Sequence, residues 1–540
     1  MSAHRSDWLS NCIRFCRSKI ILSWDVLITL SEHLPRDSLI ALMSTCKQLR
    51  RYGVRFLLGE DRPISFRSPN AIDSLCLFMN SNIPKGTSGR AAHIRMLDLH
   101  SYSKLWSYKN ESFHLLGNVL RQATGLYALQ ISEEALLSRA LSIELTAERL
   151  PFSSLRRLCL VDPGVNCLQF LESISDVPLE VLVVNRYRHA PPGGPDTLDR
   201  IARLFQDSLE ELHVSNCTRV RDRRVFNGVC LPHVHTVSLL GEQGQPFEAF
   251  TEHLIHTFPN ATRVTLSTPP GSQPLPTPPP FPHREIIPMM PVAQVVMPDP
   301  AAREVNERTQ RRTRWQSLDY LCSTLANLHT LALRAQVEHL VVTAVALTRP
   351  ELERMHVVVR DCAPTRLTIV VGAVRDKTEE LIALVPRNPP RPLRYLQIDL
   401  SNWVSADSLL SELCVLRPSL GSIRTFVLRM AAGVEMQYRN PLDAEAAYEE
   451  YEKFALQCVG VAHSLRHVGL PDDLFGPLPK TGPEPTDVWM KLDTPPRPKE
   501  TLFWSIDRVD DALVYADKVP RKAAEKLLES ETYVASSPFQ

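Results

Sequence analysis

One spacing of apolar residues recurs along most of the chain: an apolar residue, two variable ones, an apolar, one variable, an apolar. It occurs at 94–99, 126–131, 155–160, 179–184, 209–214, 234–239 and 261–266. After a break it resumes at 328–333, 352–357, 393–398, 423–428 and 465–470. Strand side chains alternate faces, so the spacing predicts short strands with one apolar face. The starts at 155, 179, 209, 234 and 261 lie 24 to 30 residues apart. Helix-like segments at 197–205 and 247–257 precede two of these strands. Strand plus helix at such a period is one unit of a solenoid. The longer intervals from 352 to 393 and from 423 to 465 make the array irregular.

Ahead of the repeats, residues 20–51 carry three short helical patterns. Ser23 is placed to cap a helix with Val26, Leu27, Leu30 and Leu34 on one face. Pro35 stops it, and Asp37 is the expected cap of a second helix bearing Leu39, Ile40, Leu42 and Met43. Ser44 or Thr45 is the expected cap of a third, with Cys46 and Leu49 inside and Lys47, Arg50 and Arg51 outside. So small a unit cannot bury every apolar residue it carries, and the surplus predicts docking. A short strand at 62–66 and a helix at 71–79 follow.

The order Leu22, Asp25-Val26-Leu27, Leu30, Leu34, Asp37-Ser38-Leu39, Cys46, Leu49-Arg50 resembles the F-box, over roughly 20–58. The family opens with Leu-Pro, whereas this chain has Leu22-Ser23. The resemblance implies docking on a Skp-type adaptor, and through it a cullin, by Leu22, Val26, Leu27, Leu30, Leu34, Leu39 and Ile40. The repeat period is close to that of leucine-rich repeats, about 20 to 29 residues. The stretch 209–222, LEELHVSNCTRVRD, resembles the cysteine-containing kind, with Cys217 and Val220 in the turn. The pairing implies an α/β fold: a small helical F-box, then an irregular leucine-rich-repeat solenoid of parallel strands and helices. It also implies the substrate receptor of an SCF-type ubiquitin ligase, a non-enzymatic subunit. The alternative is a repeat scaffold outside the ubiquitin system, whose F-box-like helices only cap the solenoid. Exposure of Leu22, Leu27, Leu30 and Leu34 separates the two; a cap would bury them against Ile64 and Phe66.

The segment 267–300 is dense in proline, which suits neither helix nor sheet, and is expected to be a disordered loop. Residues 276–279 fit a PxxP ligand, although a passive insertion is the simpler reading. Arg308, Arg311, Arg312 and Arg314 form a basic patch, read as the solvated start of a helix at 315–325 rather than a nuclear signal. Residues 474–500 are again proline-rich, and 510–528 can form helix interrupted at Pro520. The expected organisation is 1–19, N-terminal segment; 20–60, F-box; 61–266, first repeats; 267–312, Pro-rich loop; 313–472, second repeats; 473–540, Pro-rich and helical tail.

Composition narrows function by exclusion. The formal net charge is +1 over 540 residues, so no global field draws in nucleic acid or an anionic membrane. No apolar run reaches the length of a membrane span, and the first residues lack the apolar core of a signal peptide. Twelve cysteines form no disulfide framework; Cys76, Cys159, Cys322 and Cys414 read as buried thiols, and Cys12 and Cys16 lack partners for a zinc site. A reducing compartment, cytoplasmic or nuclear, is expected. Phosphate-loop, GxSxG, HExxH, EF-hand and RING patterns are all missing, so no cofactor or metal is expected. His213, His235, His356 and His467 fall in or beside predicted strands and are expected to face solvent.

Between the apolar strand positions lies an outward ladder. In the first run it reads Met96, Asp98, His100, Ala128, Gln130, Arg157, Cys159, Glu211, His213, Ser215, Thr236 and Ser238. In the second it reads Thr330, Arg334, Arg354, His356, Tyr395, Gln397, Asp399, Thr425 and Arg429. Tyr and Arg dominate binding hot spots. The expected contacts with an unknown substrate protein are therefore Arg354, Tyr395, Asp399 and Arg429, all exposed.

Overall fold

The computed structural model describes residues 24–45, 47–59, 64–65, 69–80, 89–99, 110–132, 152–161, 166–185, 197–217, 228–241, 251–266, 300–344, 348–371, 389–400, 423–430, 467–471, 501–509 and 512–518. The chain forms two compact units, one ending at Val184 and one beginning at Asn185.

The first unit opens with helices α1 (Trp24–His33), α2 (Arg36–Thr45) and α3 (Lys47–Gly59). Leu39 N donates to the Pro35 carbonyl at 2.9 Å, so α2 starts one residue before the expected cap Asp37. The Ser44 and Thr45 hydroxyls donate back to Ala41 O (2.6 Å) and Leu42 O (2.7 Å). They close α2 instead of capping α3, as short hydroxyl side chains do when a carbonyl is within reach. Leu39, Met43, Leu49, Val54 and Leu58 are buried. Gly53 permits the close approach of α2 to α3: a Cβ there would meet Met43 Cγ at 2.5 Å.

Strand β1 (Ile64–Ser65), helix α4 (Pro69–Asn80) and strand β2 (Met96–Leu99) follow. Then come α5 (Asn110–Gln122), β3 (Ala128–Ser132), β4 (Arg157–Val161), α6 (Asn166–Ser173) and β5 (Val181–Asn185). β1 to β4 pair in chain order, all parallel. Ile64, Leu97, Leu129 and Leu158 stand in one register row and are buried, as are Leu99, Ile131 and Leu160 beside them. One backbone device repeats just before each strand: Tyr127 N to Arg95 O (2.8 Å), Arg156 N to Tyr127 O (2.9 Å), Glu180 N to Arg156 O (2.8 Å). Parallel strands joined through helices bury both the apolar row and the helix face.

The second unit carries α7 (Thr197–Leu204), β6 (Glu211–Cys217), β7 (Thr236–Gly241), α8 (Thr251–Thr257), β8 (Arg263–Thr265) and α9 (Pro300–Gln310). It continues with β9 (Ser317–Thr324), α10 (Leu325–Leu331), β10 (Gln336–Ala344), α11 (Arg349–Cys362) and β11 (Arg366–Val371). The last strands are β12 (Tyr395–Leu400), β13 (Thr425–Met430), β14 (His467–Pro471), β15 (Thr501–Val509) and β16 (Ala512–Lys518). β6 to β14 pair in chain order and in parallel; β15 and β16 close the order as an antiparallel pair. The fold is α/β: each unit is built from strand–helix repeats of the leucine-rich-repeat kind, and the first unit opens with three helices.

Several expectations change here. The apolar spacings at 328–333 and 352–357 belong to helices α10 and α11, not strands. Leu352, Met355, Val358, Val359 and Cys362 are the buried face of α11, a helical period that the first two positions of the spacing, Leu352 and Met355, also satisfy. Capping decides the matter. Thr324 Oγ1 accepts from Asn327 N at 3.3 Å, and the Glu351 carboxylate accepts from Thr348 N at 3.1 Å. The segment expected as a helix at 315–325 is mostly strand β9. Residues 300–310, assigned to the Pro-rich loop, form α9, and 512–518, expected as helix, form β16. Residues 311 and 312 continue into the turn after α9, and the rest of the expected loop, 267–299, lies outside the described residues.

Helix α9 escapes a hydrophobic reading because its buried face is polar: Asn306 and Gln310 are 1% and 2% exposed. Asn306 accepts from Thr251 N (3.2 Å) and donates to Thr330 O (2.9 Å). Arg303 donates to His329 O and pairs with Asp361 at 2.7 Å. Hydrogen bonds therefore tie α9 to α8, α10 and α11 where apolar contacts would otherwise serve.

Candidate protein-interaction surfaces

The first candidate surface is on α1 and α2. Val26, Leu30 and Ile40 are 43%, 42% and 49% exposed, and Leu27 and Leu34 are half-buried. Leu39, expected to dock, is 1% exposed and belongs to the core of the helical trio instead: it lies one position, about 100° of helix rotation, from Ile40. Leu22 lies outside the described residues. Helix α3 has the opposite fate. Its Val54 and Leu58 are buried, and the Leu58 carbonyl accepts from Arg95 N (3.2 Å) just ahead of β2. Thus α3 seals the first repeat, while α1 and α2 keep apolar side chains in water. Tyr52 on α3 and Leu77 on α4 add exposed apolar area in the same unit.

The second candidate surface is the polar face of β9 to β13. Parallel register lines up Arg263, Tyr320, His339, Arg366, Tyr395 and Thr425 in one row. Thr265, Cys322, Val341, Thr368, Gln397 and Val427 form the next. Asp399 and Arg429 are direct neighbours in the row beyond. Of the four residues expected to hold a substrate, Tyr395, Asp399 and Arg429 therefore share a sheet face. Arg354 does not: it is on α11, where its charge acts with that of Arg303 on His329.

This face is not an open ladder. Tyr395 is fully buried, and His339, Thr368, Gln397 and Thr425 are buried as well; Asp399 and Arg429 are half-buried. Tyr395 Oη donates to Gln397 Oε1 (2.6 Å), and Gln397 Nε2 donates to both Asp399 oxygens (2.8 and 3.0 Å). His339 Nε2 bonds to Thr368 Oγ1 at 3.0 Å, and its ring meets those of Tyr320 and Tyr395 edge-on at 5.4 and 6.3 Å. Burial pushes the Asp399 carboxyl up to about 6, against the opposing pull of Arg429 and the Gln397 amide. Burial pushes the His339 imidazole down to about 4, helped by Arg366. The expectation that all four residues face solvent fails at Tyr395, because neighbouring Tyr, His and Gln side chains pack with one another across the strands.

In the first unit the corresponding positions are more open. Met96, Asp98, Gln130 and Arg157 are half-buried, whereas Ala128 and Cys159 are buried. The Cys159 thiol is held up at about 12 by burial and then by Asp98. In the second unit His213 and His235 are half-buried beside Glu211 (3.5 Å) and Glu210 (3.6 Å), and His356 lies on α11 rather than a strand. Cys76, Cys159 and Cys322 are buried thiols; Cys12, Cys16 and Cys414 lie outside the described residues. Among the described residues no group of three His, Cys, Asp or Glu side chains could hold a metal, and no helix is long and apolar enough to cross a membrane.

Sequence reasoning missed Tyr320, His339, Arg366 and Thr368 because it missed β9, β10 and β11. The alternation in Ser317–Thr324 and the β-branched run in Gln336–Ala344 were the available signals.

No family model matches the chain, and no curated protein matches it. Among solved structures it is similar to the yeast complex of Rad7 and Elc1, at 12% identity over 81% of this chain and 94% of that one, with a TM-score of 0.28. It is also similar to TLR13 bound to ssRNA13, at 12% identity over 72% of this chain and 56% of that one, with a TM-score of 0.31. The repeat fold stands on strand order and register.

Proposed function

We propose that the chain is a non-enzymatic substrate receptor of an SCF-type ubiquitin ligase, its first helices docking on a Skp-type adaptor and its repeats binding a substrate protein. The observation that carries the reading is the exposure of Val26, Leu30 and Ile40 on α1 and α2, beside a third helix that already seals the repeats. Three large aliphatic side chains on one small helical unit are a partner-binding feature, since a cap would have buried them. The F-box resemblance supplies the kind of partner. Catalysis would then be by proximity, the adaptor and cullin holding the conjugating machinery near the bound substrate.

Expression of the tagged full chain with a Skp-type adaptor, followed by affinity purification and mass spectrometry, tests this. Adaptor and cullin peptides in stoichiometric yield support it. Their absence, with a folded chain, returns the helices to the role of a cap on a repeat scaffold.

A further inference from the structure

A basic depression lies at the turn between α9 and β9. It has a volume of about 580 Å³ and is lined by Arg312, Thr313, Arg314, Gln316 and Gln336. All five are exposed, and none carries a carboxylate. The turn is fixed at both ends. Thr309 O accepts from Arg312 N (2.8 Å) and Thr313 N (2.9 Å). Trp315 is buried, with its Nε1 donating to Phe258 O at 2.8 Å. Gln336 N donates to Gln316 O at 3.3 Å, joining the starts of β9 and β10 at the rim.

The charge in this depression is uncompensated. Some arginines of the same unit have acidic partners: Arg303 with Asp361 and Glu307, Arg308 with Glu304, Arg349 with Glu353, Arg366 with Glu338; Arg311, next to Arg312, has no ion pair among the described residues. Arg312 and Arg314 have none among the described residues, and 308–318 holds four arginines and no acid. Guanidinium groups donate through a planar fork that fits phosphate oxygens two at a time, and a pinned turn reduces the ordering cost of binding. The Thr313 hydroxyl and two Gln amides supply neutral donors for the remaining oxygens.

We propose that this depression binds a phosphate group, on a phosphorylated side chain of a partner protein or as a small free phosphate. Nucleic acid fits less well. The one aromatic in the turn, Trp315, is buried and cannot stack on a base, and the whole chain carries only +1. Phosphate binding stands by itself; that the site selects a ligase substrate rests on the ubiquitin-ligase reading.

The test uses the full chain, the double variant Arg312→Gln/Arg314→Gln, and Arg349→Gln as a control on a paired arginine. The probes are a fluorescent peptide library centred on phosphoserine, the same library dephosphorylated, inorganic tripolyphosphate and a single-stranded oligonucleotide. The expected result is saturable binding of a phosphate probe, weakened at least tenfold in the double variant and unchanged in the control. Tighter binding of the phosphopeptides than of their dephosphorylated counterparts assigns the group to a protein. Tripolyphosphate binding alone assigns a free phosphate. No binding of either phosphate probe, equal binding by the double variant, or capture of the oligonucleotide alone overturns the proposal. Adaptor binding by the double variant, and phosphate binding by Leu30→Arg, keep this result separate from the ligase reading.

Discussion

Two regions invert the usual distribution of side chains, in opposite senses. Helices α1 and α2 leave Val26, Leu30 and Ile40 in water, while strands β9 to β13 bury His339, Thr368, Tyr395 and Gln397. The buried polar groups are largely satisfied within the fold, through the Tyr395–Gln397–Asp399 chain and the His339–Thr368 bond. The apolar side chains of Val26, Leu30 and Ile40 stay more than two-fifths exposed. Burial of a polar group is tolerable when its hydrogen bonds are made. Exposure of a cluster of aliphatic groups persists when something else covers it. One region is therefore internal framework, and the other is the surface proposed above for a partner, although sequence suggested that both would be binding surfaces.

Substitutions sharpen this contrast. Tyr395→Ala should lower stability by about 3–5 kcal/mol, the range for removing a large buried ring, seen as a fall in the denaturant midpoint. A surface ligand contact would show almost no change. Gln397→Leu should cost about 1–3 kcal/mol, because the Tyr395 hydroxyl and the Asp399 carboxyl lose their shared partner. A double-mutant cycle with Tyr395→Phe should be clearly non-additive; additivity would break the chain as described. On the other side, Leu30→Arg should change stability by no more than about 0.5 kcal/mol, as expected for an exposed site.

The pH dependence carries a sign that distinguishes the buried groups. His339 and His329 are held near 4 in the folded chain, below the ordinary 6.5, chiefly by burial. The unfolded chain binds more protons between these values, so their contribution is present above pH 6.5 and lost as pH falls toward 4. Asp399, raised to about 6 from 3.8, acts oppositely: its contribution is present below 3.8 and lost as pH rises through 6. Asp399→Asn should therefore steepen the loss of stability between pH 6 and 4, and His339→Gln should flatten it, in urea melts across that window. Equal slopes in both variants and the parent would place these groups in solvent.

Legibility followed the apolar pattern and stopped where polar residues did the packing. The seven spacings from 94–99 to 261–266 each overlap one of strands β2 to β8, with the first apolar residue of each buried just ahead of its strand. The same spacing misassigned α10 and α11, where Thr324 and the pair Thr348 and Glu351 were the overlooked signals. Helix α9 was invisible because Asn306 and Gln310 bury where leucine would be sought. On the candidate docking face, spacing alone marked Val26, Leu30 and Ile40, but it could not tell them from Leu39. At the β12–β13 site, alternation identified the shared face of Tyr395, Asp399 and Arg429 correctly. It could not show that this face is largely packed, because packing there depends on Tyr320, His339 and Thr368 from strands not recognised in the sequence.

The most direct measurement is the affinity of the purified full chain for a Skp-type adaptor by calorimetry, comparing Leu30→Arg with the parent. A guanidinium forced into an apolar interface costs several kcal/mol, so binding should fall by at least a hundredfold with an unchanged melting temperature. Parent binding that survives Leu30→Arg at full strength, or no binding by the parent at all, would contradict the assignment of α1 and α2 as the docking surface.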